Sequence, residues 1–478
     1  MAYKPEHFIF AYSKETHSNR GGKMSDYLDD LTNFIAEFRY ADLSDLTKSS
    51  IKKVVMDTIG AMLAGSRLSE NKNLAHLVGK TFGPGDCTLI GHSSKVPAIA
   101  ATFSNATAGV SLEMDEGNRM GGGHPGIHVV PGALSIAEEM NMDGAKFLEA
   151  VAVGYEVISR IGGATKPREN VHSHGTWGTI GTAVATSKLM GYSPTRTRNI
   201  INLAASMSPA NSWSPCFEGA TVRNLYPGRS GMQGILAAQL DGCGFTGLYD
   251  GPSDVYGTIL ADEFIPEVVI SGIGVDNLRI EQNYFKFHAC CLYNHPALDA
   301  VYKMWDKDKF TVQDIESIRV VTVPFAQRMA QSYPENILSS KFHVPFAIAL
   351  FLITGQTDAE AFTTATLSRM DIKELAQRIF IHEDTEMNIR RKDYPLANVS
   401  IMFTDGSLIE CDTNYIYGDF MNPRTDKELV DKFTSLSQQT IGEQGVSSVI
   451  DLIQRLDQLD TIKELTNLLG NHNTTAPY

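Results

Sequence analysis

The sequence predicts a mainly α protein in which a large helical domain, built from both chain ends, is interrupted by a smaller α+β domain. Three observations carry this. Helical periodicity dominates from Met24 to about residue 275, alternation with a period of two appears only between about 276 and 415, and helical signals return over 416–478.

Residues 1–23, MAYKPEHFIFAYSKETHSNRGGK, have no periodicity and read as an N-terminal extension, with Met24 a candidate first residue of the folded chain. In LTKSSIKKVVMDTIGAMLAG, Ile51, Val54, Val55, Ile59, Met62 and Leu63 form one helical face before a glycine stop. The runs IAATFSNATAGVSLEM, VVPGALSIAEEM, FLEAVAVGYEVISRI, GTIGTAVATSKLMG and IINLAASM follow. They are rich in Ala, Gly, Ser and Thr, which let helices pack closely on helices. ESIRVVTVP alternates as a strand does, and NVSIMFTDGSLIECD reads as two strands joined at Asp405-Gly406. Thr425 and Glu428 then form a capping box that opens the closing helices.

Composition removes several classes of function. The net charge of -14 and the lack of any basic run exclude a nucleic-acid partner. The longest apolar segment, FAIALFLI, is far shorter than the roughly 20 residues that cross a bilayer, and the polar start has no secretory core. A cytoplasmic location with no membrane partner is therefore expected. The six cysteines form no disulfide framework, and Cys290-Cys291 lacks the spacing of a zinc or redox motif. Neither a dinucleotide-binding nor a P-loop motif follows a strand.

Four segments join titratable residues to Gly or Pro punctuation: Glu113–His128, the His172/His174 loop, TVRNLYPGRSG with Arg223, Tyr226 and Arg229, and NYFKFHACCLYNHPALDA with Lys286 and Cys291. His124 and His128, joined by Glu113 or Asp115, have the residue types of a metal site, but Pro125 and Gly126 argue against a regular helical turn between them. Acid/base work asks less: a loop histidine held by a carboxylate moves a proton on a bound substrate. His128, entering an apolar run, reads as packing. His172 and His174 alternate, so extended backbone would send only one of them into a cleft. Arg223, Arg229 and Lys286 supply the local cations that a small polycarboxylate requires in an acidic protein. Cys291 has the residue type of a nucleophile but no context that would lower its pKa.

From Met24 to the last helices the chain resembles the MmgE/PrpD family. The resemblance rests on VVMDTIGAMLAG, GVSLEMDEGNRMGGGHPGIHVVPGAL, HSHGTWGTIGTAVATSKLMG, VRNLYPGRSGMQGILAA, YFKFHACCLYNHPALDA and GDFMNPRTDKELVDKF, in that order. It implies that the α+β domain is a lid, that the protein is a homodimer, and that catalysis needs no metal or organic cofactor. It also implies that His124 moves a proton, that Glu113 and Asp115 belong to the acidic motif preceding it, and that His172 is a second active-site histidine. Arg223 stands where the family commonly has lysine, Tyr226 where it has histidine, and Lys286 on a retained lysine. Cys291 falls on a position that varies between cysteine and histidine, and Phe346 replaces a tyrosine. The implied function is a lyase on a small di- or tricarboxylate, with dehydration of a 2-hydroxy acid as in 2-methylcitrate dehydratase leading. Decarboxylation of a cis-aconitate-like acid, epimerisation of an iminodisuccinate-like acid, and noncatalytic carboxylate binding are the alternatives.

Overall fold

The computed structural model describes residues 26–275, 277–308, 310–388 and 396–470, so the expectations for residues 1–23 and for Met24 lie outside the described residues. The chain is mainly α, with only small sheets. Its largest apolar core draws on both chain ends, from Leu28 to Phe285 and again from Leu429 to Leu469. A second core lies almost wholly between Ala289 and Phe403.

The central helices are Asp45–Gly65, Ala98–Val110, Pro125–Glu139, Gly144–Ala164, Gly178–Leu189 and Leu225–Gly242. Their small residues make close crossings possible. A Cβ at Gly228 would collide with the Phe103 carbonyl and Thr107 hydroxyl of the helix Ala98–Val110, and one at Gly234 would lie 2.6 Å from the Thr179 carbonyl oxygen. Either change to alanine must therefore push two helices apart, at a cost of about 1–3 kcal/mol.

The helix Pro125–Glu139 corrects the expectation of irregular backbone between His124 and His128. Pro125 occupies its first position, where no backbone N–H is needed, and His124 is the residue just outside it. Pro131 sits inside the same helix. Both histidines are thus fixed to one rigid element.

The strand Ile315–Thr322 centres a four-stranded sheet. It is parallel to Ile379–Glu383 on one side and antiparallel to Ala397–Phe403 on the other; Leu408–Thr413 completes the sheet. The last two strands flank the Asp405-Gly406 turn, where Gly406 takes φ +85°, a conformation glycine adopts without strain. The capping box of Thr425 and Glu428 opens the helix Asp426–Gln454. A two-stranded pairing of Thr165–Pro167 with Ala261–Phe264, within the helical part, is an addition to the sequence reading. Among the described residues no helix is long and apolar enough to cross a membrane.

Candidate active site

The loop between Val110 and Pro125 carries the chemistry, and distant segments hold it. Asp57 accepts the Glu116 N–H at 2.9 Å, and Lys432, from the C-terminal helix, reaches both Asp57 and the Met114 carbonyl. Arg119 donates from Nε to Asp419 at 2.7 Å, both side chains being buried, and Gly117 exchanges backbone hydrogen bonds with Tyr284. Glu113 takes φ +57°, an unusual conformation for a non-glycine residue and one that is kept only where surrounding contacts dictate it. Four chain segments therefore fix one short loop.

Glu113 and Asp115 are fully buried beside buried cations. Glu113 pairs with Arg223 through one oxygen and with Lys286 at 3.0 Å through the other. Burial pushes the Glu113 carboxyl up, but Arg223 and Lys286 outweigh it and hold it below the usual range. Burial likewise raises Asp115, and the opposing pull of His124, then Lys286 and Arg223, leaves it at about 2. Both carboxyls are ionised at neutral pH.

His124 Nδ1 lies 2.8 Å from the Glu116 carbonyl oxygen and 3.2 Å from Asp115 Oδ2. A carbonyl oxygen only accepts, so Nδ1 carries the hydrogen and Nε2 of the neutral ring keeps the lone pair. The His124 side chain is 12% exposed and lines the cavity. His174 stacks on it with ring centroids 4.4 Å apart and brings Nε2 to 3.8 Å from Asp115, yet both nitrogens of His174 lack a hydrogen bond among the described residues. Burial, reinforced by the nearby cations, holds His172 and His174 well below the usual histidine range, so both are neutral. His128 is a packed core histidine: Nδ1 bonds the His124 carbonyl and Nε2 accepts the Gly175 N–H.

A cavity of about 300 Å³ opens over this cluster. Of the residues singled out from sequence, Glu113, His124, His172, Arg223 and Cys291 line it, while Asp115 and Lys286 stand behind that lining layer. Tyr226 and Arg229 do not line it. Tyr226 donates to the Ser212 carbonyl at 3.2 Å, and Arg229 donates to Asn211. Phe346 is buried in the second core beside Tyr333 and Phe362. Burial raises the Cys291 thiol to about 11, which leaves it unionised.

Of the alternating pair, His172 lines the cavity and His174 does not, and the backbone turns between them so that the His174 N–H donates to His172 Nδ1 at 2.9 Å. Sequence reasoning passed over Glu116, although the run Glu113-Met114-Asp115-Glu116 marks it. Its carboxyl accepts from the Gly126 N–H and the Tyr155 hydroxyl, and burial raises it to about 8 despite those bonds. Asp115, His124 and His174 place ligand-type atoms within 4.8 Å of one another. Because Nδ1, the His124 nitrogen facing Asp115, already holds a hydrogen, the geometry suits proton transfer better than metal ligation.

Fold and site together define a helical protein with a carboxylate-backed histidine facing a buried, ion-paired arginine. The chain belongs to the MmgE/PrpD family: the model of the family's N-terminal domain matches residues 29–259 and that of its C-terminal domain residues 288–458. Similar proteins include human cis-aconitate decarboxylase, 24% identical over 451 residues that span 89% of this chain and 91% of the relative. Cis-aconitate decarboxylase of Aspergillus terreus is 22% identical over 88% of this chain and 91% of its own length. A cis-aconitate decarboxylase-like protein of Aspergillus oryzae is 22% identical over 92% and 96%.

Proposed function

We propose that the protein is a cofactor-independent lyase that removes CO2 from a small carboxylic acid, with His124 as the proton carrier. The observation that carries this reading is the orientation of His124: Nδ1–H is engaged by the Glu116 carbonyl and Asp115, which leaves Nε2 for a ligand in the cavity that Arg223 also lines. In its protonated form the ring gains an Nε2–H, and the Asp115 carboxylate stabilises the resulting charge.

The reaction follows from these placements. Arg223, which lines the cavity, holds the retained carboxylate of the substrate, and Lys286, behind it on the far oxygen of Glu113, adds positive charge. The bond to the departing carboxyl breaks, CO2 leaves, and its electron pair passes to the substrate carbon and spreads into the retained carboxylate, where Arg223 stabilises it. His124 Nε2–H then gives its proton to that carbon, and solvent restores the ring. One proton donor is enough. The relatives named as decarboxylases, similar along most of this chain, support this order of preference.

Dehydration of a 2-hydroxy acid, the leading expectation from sequence, is the second reading. It needs a base for the α-proton and an acid for the leaving hydroxyl, and His172 supplies a second histidine in the cavity, its Nε2 lacking a hydrogen bond. Proton NMR of cis-aconitate, citrate, 2-methylcitrate and iminodisuccinate incubated with the wild-type protein separates the two readings. Loss of CO2 supports decarboxylation, interconversion of hydroxy acid and alkene supports dehydration, and binding without turnover across the panel contradicts both. The family resemblance further supports a homodimer.

A further inference from the structure

The cavity changes character along its length. From the ionic end, the ring centroids run from His124 to His174 at 4.4 Å and from His174 to His172 at 5.4 Å. They continue from His172 to Trp213 at 3.7 Å, from Trp213 to Phe325 at 4.6 Å and from Phe325 to Tyr293 at 4.5 Å. His172 lies nearly parallel to Trp213, with 19° between the rings. Trp213, Tyr293 and Phe325 all line the cavity, and none is fully buried in the protein itself. A substrate made only of carboxylates and hydroxyls would leave this aromatic end in water, whereas an apolar group would bury it.

The charge balance points the same way. Arg223 and Lys286 are both engaged by Glu113, and Arg119 is engaged by Asp419. Lys341, buried behind the loop with Nζ donating to the Leu112 carbonyl at 2.9 Å, adds a third cation near Glu113. Arg223, Lys286 and Lys341 lie near Glu113, and protonated His124 and the cavity-lining Arg168 add further positive charge. Two substrate carboxylates, one departing and one retained, are matched by these cations.

We propose that the substrate is an acid with two carboxylates, one departing and one retained, and an apolar arm, the arm lying against Trp213, Tyr293 and Phe325. This rests on the reading of His124 and Arg223 as the reacting end of the same cavity. No role for Trp213 was read from the sequence, and the expectation of a small di- or tricarboxylate left the apolar arm out.

Calorimetric titration of the full-length protein with succinate, ethylsuccinate, butylsuccinate and citrate tests it without requiring turnover. In the wild type, Kd should fall by about fourfold per added methylene, and citrate should bind more weakly than butylsuccinate. Trp213→Ala should flatten the series, and Phe325→Ser should do so as well if the tryptophan variant fails to fold. A flat wild-type series, citrate binding tightest, or chain-length dependence that survives both variants overturns the proposal. The two readings fail separately. Chain-length-dependent binding by a protein that turns nothing over keeps the apolar arm and removes the lyase, whereas turnover of a tricarboxylate with a flat series does the reverse.

Discussion

Asp115 Oδ2 lies 3.2 Å from Nδ1 of His124, so the buried carboxylate faces the nitrogen that is turned away from the cavity. Its role is electrostatic support of the ring's charged form. Asp115→Asn keeps the shape and removes that charge. Its kcat is expected to fall by about 10²–10⁴-fold, with KM changed by less than about threefold. Steady-state kinetics on the purified variant measures the split.

Glu113→Gln leaves Arg223 and Lys286 buried without their shared counter-ion. Breaking a buried pair by removing one partner costs about 3–5 kcal/mol, so the variant should melt well below wild type. Succinate should raise the melting temperature of the variant more than that of wild type, because an added carboxylate replaces the lost one. Thermal unfolding with and without succinate checks both effects.

Glu116 makes stability depend on pH in a definite direction. Burial raises its carboxyl in the folded state from the ordinary 4.5 to about 8, so between those values the folded protein retains a proton that the unfolded chain has released. The contribution is complete below the lower value and is lost as pH rises to about 8, at up to about 1.4 kcal/mol per pH step. Glu116→Gln, which places a permanent donor toward the Tyr155 hydroxyl, should flatten this decline. Denaturant unfolding at pH 5, 6.5 and 8 compares the two slopes.

His174 packs on His124 but stays neutral, since burial holds it well below the usual histidine range. His174→Phe keeps a stacked ring and should retain kcat within about tenfold with an unchanged pH profile, whereas His174→Ala removes the support and should cost more. A profile that shifts in the phenylalanine variant would show that His174 itself takes up a proton in the reaction.

The sequence disclosed the fold where its signals were periodic. The face through Ile51, Val54 and Ile59, the Asp405-Gly406 turn and the Thr425/Glu428 capping box all appear in the structure. It misjudged Pro125, because a proline that disrupts a helix interior is well suited to a helix start. The first-layer residues His124, Glu113 and Arg223 were legible from residue type beside Gly and Pro. Trp213 and Lys341 were not, since their roles come from ring stacking and burial between segments far apart in the chain. Tyr226 and Arg229 show the converse: they share a motif with Arg223, yet the turn of their helix directs them to Ser212 and Asn211.

The most direct test of His124 as the proton carrier is NMR of the acid turned over by wild type, followed in D2O with wild type and His124→Gln side by side. Wild type should release CO2 and place one solvent deuteron on the carbon that lost it, while the variant binds the acid with similar affinity and does neither. Deuterated product formed by His124→Gln at a rate within tenfold of wild type would contradict the assignment.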